Sequence, residues 1–534
     1  MLVILPVVLL LVPAVIVLVL QRLRPSYGYA WLGCSAAVLI TWVVTLVYHW
    51  QVDAGRTFSL VIPGWQTVEG VAPALSFQLD SFSWPFVFAL ASLAVGVILT
   101  ASARLSTSIP EAWAGSMALV AAGMLAVMAN SVLALVLAWT VIDLAELAMF
   151  VRGSPQPTQA RQAVVAFAAR VGGTGAAIWA MMVSRAFGST LELAAIPDQA
   201  AVFLLMAAGL RLGVLPLHLP FQQEIRMRRG LGTVLRLVAP AATLPLLSRL
   251  PATVAAPEVA PFFLLFTGLA AVYGAAMWLF SSDEINGRPY WLIALAGMAL
   301  GSAVRGQTGA SVMWGVALIL SGGAVFLFNV RQRALLILPM ITLIGLTGLP
   351  FTPAASGWPG LVVLPFSLLD VVMISAHSLL LAGFLRHALA PSEGISESDR
   401  WVKVVYPIGL GILGLSFWLI GFLGAVTQNR FGIWWAALIS LVLMVLGYGV
   451  AHLLRRIPAE RTAWAFVLAR RIGLGIAAFL RLDWFYGLLT WLYGLVQRVI
   501  NFITVILEGA GGVLWALLLL ALLLTLFSPG AGAP

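Results

Sequence analysis

Lysine is almost missing from this chain: of 29 lysines and arginines, only Lys403 is a lysine. Arginine keeps its proton in a protein, whereas a buried lysine can give its proton up, so proton transfer by a side-chain amine is confined to one position. Part of this bias belongs to the whole composition. Cysteine is also scarce, with Cys34 alone, which excludes an intramolecular disulfide, a cysteine-only zinc site and an iron-sulfur cluster. Charged residues make up 9% of the sequence, against roughly 25% in soluble domains. There is no glycine loop between a strand and a helix to cradle phosphate, and no nucleophile placed beside a base. The chain is therefore expected to carry no cofactor and no catalytic site of its own.

What the sequence does have is apolar length. Hydrophobic residues reach 62% and mean hydropathy is +1.05, so an all-α polytopic membrane protein is expected. Sixteen apolar runs lie near 1–20, 28–48, 82–103, 113–130, 131–151, 163–184, 200–218, 231–248, 259–281, 290–304, 309–329, 335–350, 361–386, 403–425, 433–454 and 511–528. The first lacks a basic leader, and its arginines Arg22 and Arg24 follow the run, which reads as a membrane span with an outside N-terminus rather than a cleaved signal. A net charge of +10 would suggest nucleic acid in a soluble protein. Here the arginines gather in alternate loops, Arg288 among them, and mark the cytoplasmic side. Between the last two spans, residues 455–510 are apolar but interrupted by charge, with Trp484, Tyr486, Trp491 and Tyr493 suited to the headgroup level. This segment is expected to lie along the membrane surface, with two further spans as the alternative.

The most informative stretch is FLLMAAGLRLGVLPLHLPFQQEIRMRRGLGTVLRLVAPAATLPLLSRL, residues 203–250. Arg211 and Arg236 each stand inside an apolar run, where an arginine costs roughly 2.5–3.5 kcal/mol unless it faces protein or water. Pro216, Pro220, Pro240 and Pro245 lie in the same runs, and proline removes a backbone donor and breaks helices. Buried charge with interrupted helix suits an ion pathway, though it also suits a structural ion pair. Asp143 and Glu146 follow Thr140 at three-residue steps, placing them within one turn of each other.

Several stretches resemble the antiporter-like membrane subunits of respiratory complex I and Mrp-type sodium/proton antiporters. LSFQLDSFSWPFVFAL places Asp80 at that family's aspartate, which reads here as a cap at the membrane edge, and SMALVAAGMLAVMANSVLALVLAWTVIDLAELAMFV matches at Asn130 and Trp139. Thr140 stands where the family has its glutamate, so Asp143 is the better substitute, one turn displaced. GLRLGVLPLH puts Arg211 at the family's lysine with Pro216 and His218 matching, and Arg236 falls at the second basic position eighteen residues beyond His218. PMITLIGLTGLPFTPAASGWPGL resembles the broken twelfth helix, but Leu361 occupies its lysine position. The eleventh span has no ionisable group, so Asp370 and His377, seven apart in the thirteenth, are the second half's candidates; His377 also fits a hydrogen-bonded core histidine.

The resemblance implies about sixteen transmembrane helices with two inverted five-helix repeats, each containing a broken helix, and a lateral amphipathic helix as in the largest, distal subunit. The parts are expected at 1–111 (spans 1–3), 112–250 and 251–390 (the repeats), 391–454 (spans 14–15), 455–510 (lateral segment) and 511–534 (last anchor). It further implies a subunit of a complex-I-like proton- or cation-translocating assembly in a prokaryotic inner membrane. Its expected partners are other membrane subunits, lipid, and protons or sodium, with no nucleic acid. The pathway candidates are Asp143, Glu146, Arg211, His218, Arg236, Asp370 and His377, in a charged first half and a dry second half. Alternatives are an Mrp-type antiporter or inorganic-carbon uptake subunit, and a scaffold that has lost conduction.

Overall fold

The computed structural model describes every residue except 1, 25–28, 63–74, 104–108, 154–156, 190, 218–228, 252–257, 329–332, 391–399, 425–429, 455–470, 472–482, 509–510 and 528–534. Two units are distinct, Met1–Ala463 and Trp464–Pro534.

The first unit contains α1 (Leu5–Leu23), α2 (Ala30–Asp53), α3 (Trp84–Thr100), α4 (Pro110–Val127), α5 (Val132–Gly153), α6 (Pro157–Ala186), α7 (Asp198–Leu212) and α8 (Arg229–Arg249). It continues with α9 (Ala260–Phe280), α10 (Glu284–Val304), α11 (Thr308–Leu327), α12 (Ile337–Leu346), α13 (Trp358–Leu361), α14 (Leu368–Ala388), α15 (Val402–Leu423) and α16 (Trp434–Leu454). A two-stranded antiparallel hairpin, β1 (Phe58–Ile62) with β2 (Leu75–Leu79), joins α2 to α3. The second unit holds α17 (Asp483–Glu508) and α18 (Gly511–Phe527). Each of the sixteen expected spans overlaps one of these helices, though those at 200–218, 335–350 and 361–386 are longer than α7, α12 and α14, and among the described residues eleven are long and apolar enough to cross a membrane. The first part of the expected surface segment lies outside the described residues; its later part is the continuous α17.

A helix that is apolar all round must be enclosed by others. α11 is: its apolar stretch is 100% buried, and those of α3 and α8 are 89% buried. Small residues allow the neighbours in; a Cβ on Gly315 would lie 2.7 Å from the Phe86 ring. The stretches of α1 and α2 are only 33% and 39% buried, leaving Val12, Val15, Leu32 and Ile40 exposed as a bilayer-facing surface requires.

Two helices stop short. α7 ends at Leu212 because Gly213 takes a left-handed conformation (φ 76°) and the chain folds back, with the Gly209 carbonyl accepting from the Val214 and Leu215 amides at 2.8 and 3.1 Å. A side chain at Gly209 would collide with Leu215, whose Cδ1 lies 2.4 Å from the Cβ position. α12 likewise ends before Gly348 (φ 74°), where a Cβ would meet the Trp358 indole nitrogen at 1.9 Å.

The prolines of α8 act otherwise than expected. Pro240 and Pro245 lie inside a helix that runs unbroken from Arg229 to Arg249. Carbonyls in this stretch are taken up by side chains: Thr243 Oγ1 donates to Ala239 O at 2.9 Å, Trp139 Nε1 to Ala242 O at 3.0 Å and Ser248 Oγ to Pro245 O at 2.8 Å. These bonds hold α8 to itself and to α5, while the carbonyls that lose a backbone donor to the two prolines are those four residues earlier, on Arg236 and Ala241. The loop reading of Arg288 is also corrected, since this residue lies within α10 with 0% exposure.

Candidate ion-pathway centre beside the broken helix

Four helices of the first half deliver charged side chains to one place. α5 supplies Asp143 and Glu146, α6 Arg170, α7 Arg211 and α8 Arg236, all buried. A buried ion requires partners, and the partners are present. Asp143 and Arg211 form a bidentate pair: Arg211 Nη1 donates to Asp143 Oδ2 at 2.7 Å and Nη2 to Oδ1 at 2.9 Å. Arg170 Nη1 reaches both acids, donating to Asp143 Oδ1 at 3.1 Å and to Glu146 Oε2 at 2.6 Å.

Arg211 is also held sideways. Its guanidinium lies 4.2 Å from the Trp139 ring centre, a cation-π contact worth about 2 kcal/mol where water is excluded. Its Nη1 donates to Thr174 Oγ1 at 3.0 Å. Gly173 gives it room, because a Cβ there would sit 2.6 Å from Arg211 Cγ. Arg236 lies with its guanidinium carbon 5.4 Å from the ring of Phe150, one helical turn beyond Glu146 on α5. His218 and Pro220 lie outside the described residues.

The centre thus brings together Asp143, Glu146 and Arg211 and places Arg236 alongside. Arg170 was missed in the sequence. Its signal was the one that exposed Arg211, a lone arginine inside an apolar run, VVAFAARVGGTG, but no motif drew attention to it.

The second-half candidates are arranged differently. Asp370 closes a capping box at the start of α14, where its Oδ2 accepts from the Ser367 amide at 2.7 Å and hydroxyl at 2.8 Å. Its Oδ1 accepts from Arg305 Nη2 at 2.8 Å, and Arg305 Nη1 also donates to the carbonyls of Gly360 and Leu361. His377 has no share in this group. Its Nδ1 lies 2.8 Å from Ser440 Oγ and its Nε2 3.0 Å from Leu346 O, so the ring satisfies a carbonyl at the end of α12. It is enclosed between Trp314 and Trp358, with ring centres 5.4 and 4.9 Å away. Leu361 is fully buried.

At the edge of the first half, Asp80 Oδ1 accepts from the Phe82 and Ser83 amides at 3.1 and 2.8 Å, and Oδ2 pairs with Arg249 at 3.2 Å. This carboxylate ties the hairpin to the start of α3 and the end of α8. At the other end of α8, Arg229 pairs with Glu284 and Arg288 Nη2 donates to Thr233 Oγ1 at 3.1 Å.

No protein-family model matches the sequence, and neither does any curated protein. Solved structures do match in shape. A chain of the Mrp complex from Dietzia sp. DQ12-45-1b superposes with a TM-score of 0.68 at 16% identity, over 93% of this chain and 62% of that one. This chain therefore spans less than two thirds of that longer relative. A chain of the membrane-bound sulfane sulfur reductase, an archaeal respiratory membrane complex, gives a TM-score of 0.70 at 14% identity over 98% and 99% of the two chains. A chain of respiratory complex I from Thermus thermophilus gives 0.56 at 17% identity over 79% and 99%. The chain is accordingly a multi-pass α-helical protein with the fold shared by chains of the Mrp complex, the sulfane sulfur reductase and complex I.

Proposed function

We propose that this chain is an integral subunit of a complex-I-like assembly and moves protons or another cation through its first half, with any redox chemistry in partner subunits. The carrying observation is the buried group of Asp143, Glu146, Arg170 and Arg211 next to the break in α7. A merely structural ion pair has no need of an interrupted helix beside it, whereas an ion route needs both charge and freed backbone groups. End-to-end likeness to a chain of a respiratory membrane complex, 98% and 99% of the two lengths, supports the assembly type. The broken helices α7 and α12 support the division into repeats at 112–250 and 251–390.

An Mrp-type antiporter subunit is the second reading, favoured by the match over 93% of this chain to an Mrp complex chain. Either reading places the chain in a prokaryotic inner membrane among other membrane subunits, with α17 as the lateral helix. The test is reconstitution of the native assembly in liposomes. Arg211→Gln should assemble and lose cation flux. Full flux from an assembled Arg211→Gln complex would end the translocation reading. Identification of the co-purifying chains separates the assembly types.

A further inference from the structure

We infer that Glu146 is the group that takes up and releases the transported ion, that this ion is a proton, and that Asp143 is a permanent counter-ion which holds the arginines in place. The inference rests on the translocation reading and assigns roles within that centre.

The two carboxylates differ in their vacancies. Both oxygens of Asp143 are occupied, by three charged donor contacts from Arg211 and Arg170 at 2.7, 2.9 and 3.1 Å. A proton on Asp143 takes the charge out of three guanidinium bonds at once, and charge-assisted bonds of this kind are the strong ones. Glu146 is bonded through Oε2 alone, to Arg170 at 2.6 Å. Its Oε1 is buried with no hydrogen-bond partner among the described residues, on a side chain 1% exposed. A proton can settle on that oxygen without breaking any bond in the centre.

Arg170 makes the change reversible. The same Nη1 serves Glu146 and Asp143, so when Glu146 becomes neutral the guanidinium keeps its bond to Asp143, a counter-charge it shares with Arg211. When the proton leaves, the Glu146 bond regains its strength. The groups facing Glu146 from the packed helices are Asp143 on its own α5, Arg170 on α6, Arg211 on α7 and Arg236 on α8. Three of the four are cations, and this decides the ion. A sodium ion at Oε1 would need about six oxygen ligands in the manner of hard cations and would sit beside guanidinium nitrogens. A proton needs one lone pair.

The experiment uses the whole assembly in liposomes, with a trapped pH indicator and infrared difference spectra of the carboxyl groups during a pH titration. Glu146→Gln should bring proton uptake down to the protein-free level and remove one protonated-carboxyl band. Asp143→Asn should weaken assembly and leave that band in whatever complex is recovered. Replacing sodium by choline should leave wild-type flux unchanged. Should Glu146→Gln fail to assemble, Glu146→Asp decides: the band shifts if residue 146 carries the proton and stays if it does not. Wild-type flux in Glu146→Gln, a band that survives its removal, or a sodium requirement overturns the inference. If flux also survives Arg211→Gln, the translocation reading falls with it; if only Glu146→Gln is silent, the assignment alone falls.

Discussion

The two halves of the first unit each contain a helix that stops inside the apolar layer, yet the stops are finished in opposite ways. Beside α7 the space is filled by charge, with Asp143 and Glu146 facing Arg170 and Arg211 and one carboxylate oxygen left over. Beside α12 it is closed by fixed bonds. Arg305 spans the Gly360 and Leu361 carbonyls and Asp370, Asp370 caps α14, and His377 bonds the Leu346 carbonyl. A break in a membrane helix is therefore not by itself a route. Under the proposed function it becomes one when a titratable atom beside it is left unoccupied.

The comparison is broken most severely through Arg211. Arg211→Gln leaves Asp143 short of its bidentate partner in a buried setting, which costs about 3–5 kcal/mol. Thermal unfolding of the purified assembly should drop accordingly, along with the loss of flux. Gly173→Ala comes next. Its Cβ would lie 2.6 Å from Arg211 Cγ and 3.0 Å from the Ala207 carbonyl, and overpacking of this kind costs about 1–3 kcal/mol. The melting temperature should fall, and flux per assembled complex should fall several-fold as Arg211 shifts off Asp143.

The second half should respond in stability only. Asp370→Asn weakens the Arg305 pair and the cap of α14, a loss of about 0.5–2 kcal/mol for the cap, while flux per assembled complex should stay within about twofold of wild type. Smallest of all, Thr174→Val removes one hydroxyl contact to Arg211 at 3.0 Å and should cost about 1 kcal/mol. Its flux should fall slightly, whereas an equivalent Ser440→Ala change beside His377 should leave flux alone.

Much of this contrast was legible before the fold. The apolar runs gave each span, since length and hydropathy decide a membrane helix. Arg211 and Asp143 stood out because each lies within an apolar run, where a charge needs protein or water around it. Leu361 in place of a lysine already pointed to a drier second half. Arg170 was hidden because nothing distinguishes a lone arginine in one apolar run from a lone arginine in another until the helices are packed. Arg305 lies between two apolar runs, and only the return of residues 360–370 to its side reveals its partners. The prolines of α8 misled for a related reason: each removes one backbone donor, but whether the helix breaks depends on its packing, and α8 runs unbroken in a setting where its apolar stretch is 89% buried. The open oxygen of Glu146 is a property of packing as well.

The central claim, that ions cross the first half and not the second, is tested most directly by proton uptake into liposomes carrying the whole assembly with either Glu146→Gln or Asp370→Asn. Uptake lost in the first variant and kept in the second is the predicted result. Uptake kept in the first and lost in the second would contradict it.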